Sequence, residues 1–154
     1  MLVKTKIAFA NLTDAGLVRQ YNEDRAIVCD RGEELGSKIG YLIALAGGMG
    51  WHAAGEVAAA LALRELVNRY YSFRGEIEPD KILKTVIAEV NSEVYEAARS
   101  RPDLNTMGTT LVCAVMKDNW LWIANVGDSR AYLIRGGIAL RLTKDHSWVE
   151  EQGL

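Results

Sequence analysis

A chain of 154 residues is long enough for one domain that buries roughly two-thirds of its unfolded surface. Its composition, 49% apolar and 25% charged, is an ordinary soluble balance, and a net charge of −2 speaks against a nucleic-acid partner, which usually meets a clustered basic footprint. No apolar run approaches the ~18 residues that span a bilayer, and the start, MLVKTKIAFANLTDAG, lacks the apolar core of a secretory signal, so the expectation is a cytoplasmic domain without a membrane partner.

Three strands are predicted first. Lys4–Asn11 alternates polar and apolar residues before the turn TDAG, and Arg25–Asp30 is a short β-rich run closed by the charged turn RGEELGSK. Tyr41–Gly47 (YLIALAG) is continuously apolar, as expected of a strand buried on both faces. Two helices follow. Over Ala53–Tyr71, apolar residues at Val57, Ala60, Leu63, Val67 and Tyr70 form one helical stripe. The second helix begins near Pro79 and Asp80, carries Leu83, Val86, Val90, Val94 and Ala97, and ends before Pro102.

The last third returns to strands. Gly108–Met116 is apolar on both alternating faces and should be central. KDN turns it into WLWIANVGD, and SRAYLIRGGIALRLT reads as a hairpin closed at Gly136-Gly137. Strands, then helices, then strands give an α+β layer structure; the lack of β/α alternation argues against a doubly wound sheet. Cys29 and Cys113, each inside an apolar run, read as buried free thiols.

The segment Tyr41–Glu56, YLIALAGGMGWHAAGE, joins an apolar strand to a helix through glycines. Gly48, Gly50 and Ala53 match a G-x-G-x-x-A turn, but the second strand of a dinucleotide-binding unit is absent, because a helix follows the first helix. A glycine nest for an anion and a plain tight turn both remain open.

Five segments in one order carry a resemblance: TDAGLVRQYNEDR (Thr13–Arg25), GGMGWHAAGE (Gly47–Glu56), MGTTLV (Met107–Val112), ANVGDSRAYLIR (Ala124–Arg135) and LTKDHS (Leu142–Ser147). Together they resemble the metal-dependent serine/threonine protein phosphatases of the protein phosphatase 2C type, bacterial members above all. The resemblance implies a four-layer αββα sandwich with metals between the sheets. It also implies two Mn²⁺ or Mg²⁺ ions that activate a water for attack on phosphoserine or phosphothreonine, chemistry that hard oxygen ligands serve.

Transferred by position, Arg19 would grip the substrate phosphate, bidentately as a guanidinium can. Glu23 and Asp24 would support the metals, and Gly48 would offer its backbone carbonyl to one. His52 would be the general acid that protonates the leaving alkoxide. Asp128 would either bind a third metal or shape its turn, and His146 would be a structural partner.

Two departures qualify these expectations. The family loop typically reads Asp-Gly-Met-Gly-Gly-His, whereas this one reads Gly-Gly-Met-Gly-Trp-His, so Gly47 lacks the carboxylate that bridges both metals. The family domain also continues beyond the DHS segment, through strands that bring further metal-binding aspartates. Residues 1–154 are therefore expected to form a single incomplete domain, a sandwich missing its C-terminal strands. Two cations ~3.5–4 Å apart need shared anionic ligands, so metal binding should be weak or absent and phosphatase activity lost or strongly impaired. The alternative is a non-catalytic pseudophosphatase that binds phosphoproteins. Open sheet edges should favour self-association or completion by another chain.

Overall fold

The computed structural model describes residues 7–29, 39–50, 54–74 and 76–151. Strand β1 (Asp24–Cys29) pairs antiparallel with β2 (Tyr41–Met49), in register Asp24 to Gly47 through Cys29 to Leu42. Helices α1 (Ala54–Tyr70) and α2 (Pro79–Ser100) follow, then a 3₁₀ turn over Pro102–Leu104. The short β3 (Gly108–Thr109) returns to β2, and β4 (Leu111–Lys117) and β5 (Trp120–Val126) complete a five-stranded sheet ordered β1-β2-β4-β5, with β3 on β2. Strands β6 (Tyr132–Arg135) and β7 (Ile138–Arg141) form a separate two-stranded ribbon, and α3 (Trp148–Glu151) follows it.

Alternation along the sheet decides where the core lies. Leu42, Ala44, Leu111, Cys113 and Val115 point to one face and are buried there with Leu66, Tyr70, Ile82, Val86 and Val90 of the helices. The opposite face carries Ile43, Leu45, Val112 and Ala114, bordered by residues 10–12 and by Arg130 and Ala131 around a cavity of about 320 Å³. Arg69 on α1 ties the helices together, reaching Glu89 at 3.3 Å and Glu93 at 3.2 Å on α2. The Tyr71 hydroxyl sits where β1 ends and β2 begins: it lies 3.1 Å from both the Cys29 and Gly40 carbonyls and accepts the Leu42 N–H at 3.2 Å.

Several elements match the sequence reading closely. Pro79 opens α2 with Asp80 beside it, and Arg101 closes it just before Pro102. The hairpin turns at Gly136 and Gly137, with φ of 58° and 79°, the paired positive values of a type I′ turn. Asp118, in KDN, also takes a positive φ of 54°. Cys29 and Cys113 are free thiols; Cys113 is buried, which pushes its thiol up to about 12, whereas Cys29 is only half-buried.

Others differ. Residues 7–11 of the expected first strand are not in a strand, and Lys4–Lys6 lie outside the described residues. Alternation supplies a side-chain pattern but no hydrogen-bond partner; Phe9 instead sets its ring 5.9 Å from that of Tyr41. The expected strand Gly108–Met116 is broken at Thr110, whose side chain is drawn to Gly47 and Ser129. On α1, Val57 and Ala60 face outward, and Ala58, Ala59, Ala62 and Leu66 are buried instead. An alanine-rich helix packed on both a sheet and a second helix buries a wider arc than one stripe. The α+β class holds. The described residues supply one helical layer, one sheet and the ribbon, rather than all four layers.

Candidate phosphate and metal site

The Thr13–Asn22 loop braces itself before it reaches β1. The Gly16 N–H donates to Asp14 Oδ1 at 2.7 Å, with Gly16 at φ +71°, a conformation glycine adopts freely. Asn22 Nδ2 donates to Thr13 Oγ1 at 2.9 Å, while Asn22 Oδ1 accepts the Asp24 N–H at 3.0 Å. These bonds hold Arg19 over a polar cleft of about 170 Å³, shared with Asp14, Asn22, Glu23, Asp24 and Gly48. The Arg19 guanidinium is mostly exposed and stands 3.7 Å from Glu23 Oε2.

Glycines bring the β2–α1 connection against the same cleft. The Gly48 N–H donates to the Glu23 carbonyl at 3.1 Å. A Cβ on Gly55 would fall 2.8 Å from the Gly48 carbonyl carbon and 2.7 Å from Glu23 Oε1, so strand and helix approach to a distance only glycine permits. Glu23 is thereby enclosed. Its side chain is only 10% exposed, and its Oε1 is buried without a hydrogen-bond partner among the described residues.

Gly47 lies directly across the ladder from Asp24. A Cβ there would point 3.5 Å from Asp24 Oδ1 and 3.7 Å from Ser129 Oγ, and would crowd Thr110 Oγ1 at 2.9 Å. A hydroxyl network occupies that position instead: Thr110 Oγ1 accepts the Gly47 N–H at 3.1 Å and contacts Ser129 Oγ at 2.7 Å. The Gly47 carbonyl is engaged by the Thr110 N–H at 2.9 Å. Thr110 and Ser129 escaped the sequence reading; the only signal was their membership of the MGTT and GDSR segments.

The arrangement joins Arg19, Glu23, Asp24 and Gly48 as expected, but Asp128 is exposed on the loop after β5 and does not line this cleft. His52 and Trp51 lie outside the described residues. His146 is structural: its N–H donates to the Gly127 carbonyl at 3.0 Å, and its Nδ1 accepts the Gly127 N–H at 3.4 Å. Beside it, buried Asp145 receives Arg130 Nε at 3.0 Å, and this bond to Arg130 holds its carboxyl below the usual carboxylate range.

The orphaned Glu23 oxygen suits a cation or a water, and Asp24 and the Gly48 backbone are close by. Yet among the described residues no group of three or more His, Cys, Asp or Glu gathers in a form that could hold a metal ion.

Arg19, Glu23 and Asp24 line one cleft at the end of a helix-backed antiparallel sheet, in an α+β domain. The Protein phosphatase 2C family matches residues 11–152, and the chain belongs to that family. It is 40% identical over 142 residues to the serine/threonine phosphatase stp of Listeria innocua serovar 6a, covering 90% of this chain and 54% of that protein. The serine/threonine protein phosphatase PstP of Mycobacterium tuberculosis is 36% identical over 148 residues, 94% of this chain and 26% of that one. Among solved structures, the PstP catalytic domain in complex with two manganese ions superposes with a TM-score of 0.74 at 35% identity, over 92% of this chain and 58% of that one. Stp1 from Staphylococcus aureus gives 0.78 at 32%, over 97% and 60%. The chain thus spans about half the length of the Listeria relative, 54%. No helix among the described residues is long and apolar enough to cross a membrane.

Proposed function

We propose that this chain recognises proteins phosphorylated on serine or threonine through Arg19 and its cleft, and hydrolyses them poorly or not at all. The family's activity is metal-dependent hydrolysis of such phosphoesters, and the PstP neighbour holds two manganese ions. The observation that carries the impairment is Gly47. It faces Asp24 across the ladder, its would-be Cβ aims at the Asp24 carboxylate, and it bears no side-chain oxygen. Two adjacent divalent ions repel strongly, and only shared anions offset that repulsion. Glu23, Asp24 and the Gly48 carbonyl make half a shell.

In this reading the chain is a single incomplete domain, Arg19 grips phosphate, and Glu23 and Asp24 hold at most one Mn²⁺ or Mg²⁺ weakly. His52 is idle without the metals, and Asp128 shapes its turn. The setting is the cytoplasm. Hydrolysis of a phosphothreonine peptide with millimolar Mn²⁺ is the direct test: turnover near background is expected, and turnover of about one per second would overturn the proposal.

A second reading rests on the sheet edges. Among the described residues strands β1 and β5 end the sheet, and Trp120 and Leu121 on β5 are exposed at 70% and 45%. Such edges pair readily with another chain, which could complete the sandwich and supply carboxylates. Concentration-dependent association in light scattering, with activity appearing in the associated form, would favour it.

A further inference from the structure

We infer that Leu17 and Val18 form an apolar shelf for the residue beside the phosphorylated serine or threonine of a bound protein segment. The inference rests on the phosphoprotein reading above and adds the chemistry of what flanks the phosphate. Leu17 is 105% exposed and Val18 95%, so neither packs on the described residues. Single exposed aliphatic residues need no explanation, but two consecutive ones held fully clear of the surface by a braced turn do. The Asp14–Gly16 and Asn22–Thr13 bonds fix the loop on both sides of the pair.

The neighbouring residues name the occupant. Arg19 follows Val18 directly and stands at the rim of the polar cleft, above the carboxylates of Asp14, Glu23 and Asp24; its guanidinium, 77% exposed, offers its outer side to a phosphate. Tyr21, 52% exposed, lines the same cleft and adds an aromatic surface. Consecutive Cα atoms are about 3.8 Å apart, so a peptide whose phosphate meets Arg19 carries its adjacent side chains within reach of Val18 and Leu17. An apolar side chain there removes three exposed aliphatic groups from water at once, its own included. A polar one gains nothing. The shelf therefore selects phosphosites flanked by leucine, isoleucine or valine.

The test uses the full 154-residue chain and fluorescent phosphothreonine peptides flanked by leucine or by serine, with an unphosphorylated leucine-flanked control. The leucine-flanked phosphopeptide should bind about tenfold more tightly than the serine-flanked one, equivalent to about 1.4 kcal/mol. Leu17→Ser combined with Val18→Ser should abolish that ratio and leave the serine-flanked affinity unchanged. Because the pair packs on none of the described residues, the double variant has no native contact among them to lose, and a matched thermal melt checks this. Arg19→Ala should weaken both phosphopeptides alike. A wild-type ratio near one, with both phosphopeptides still outbinding the control, overturns the shelf and spares the phosphoprotein reading. Equal binding of phosphorylated and unphosphorylated peptides overturns both. If the double variant changes the oligomeric state and leaves the ratio untouched, the pair seats a second copy of the chain and the inference fails.

Discussion

Replacing Gly47 with aspartate puts the reasoning about the metal site at greatest risk. No positive φ constrains Gly47, so the backbone accepts a side chain, and the new carboxylate would be aimed at Asp24, with Cβ already 3.5 Å from Asp24 Oδ1. Two like charges about 4 Å apart repel by about 1 kcal/mol in water and about 4 kcal/mol near a protein surface; the exposure of Asp24 favours the low end. The crowded Thr110 Oγ1, 2.9 Å from the new Cβ, must also rotate away. For a domain of this size, each kcal/mol moves the melting temperature by roughly 2–4 °C. Without divalent cations, Gly47→Asp should therefore melt several degrees below the parent. Mn²⁺ at a hundredfold excess over its dissociation constant would return about 2.7 kcal/mol and reverse the loss, while the parent shifts far less. Differential scanning calorimetry with EDTA and with a Mn²⁺ titration reads both effects. Hydrolysis should stay near background, since one restored carboxylate does not complete the shell. If the parent gains as much from Mn²⁺ as the variant does, or if the variant is unaffected by EDTA and metal alike, the assignment of position 47 is wrong.

Further outcomes follow from the same contacts. Gly48→Ala would drive a Cβ into the Gly55 carbonyl and the Glu23 backbone, neither of which can rotate away, and should cost about 1–3 kcal/mol in urea unfolding. Thr110→Val keeps the shape but strips the acceptor from the Gly47 N–H and the partner from Ser129; a loss of about 1–3 kcal/mol is expected by the same measurement. Asp145 has its carboxyl lowered chiefly by Arg130, so its contribution is complete above the ordinary aspartate value and fades as pH falls through the lowered one. Asp145→Asn should accordingly lower the urea midpoint at pH 7, and the gap to the parent should close below about pH 4.

The elements legible in the sequence were those with local causes. A proline and an aspartate start α2, paired glycines turn the β6–β7 hairpin, and continuous apolar runs fill β2 and β4. What escaped depends on partners distant in the chain. Whether residues 7–11 join a ladder is decided by a free strand edge, which no alternation pattern reports. Thr110 leaves the strand because of Gly47 and Ser129, 63 and 19 residues away along the chain. The same holds at the cleft. Motif order brought Arg19, Glu23, Asp24 and Gly48 together, whereas the hydroxyl pair that fills the place of the missing carboxylate shows only once β2 lies beside β4.

The Tyr71 hydroxyl has a consequence for how the chain may be cut. By touching Cys29, Gly40 and Leu42 at once, it fastens both ends of the connection between the first two strands from outside that connection. The β1–β2 pairing then relies little on covalent continuity through that stretch, and doubling its length would cost only about 0.6 kcal/mol in closure entropy. New termini opened there, in a circular permutant or a split reporter, should leave the sheet standing.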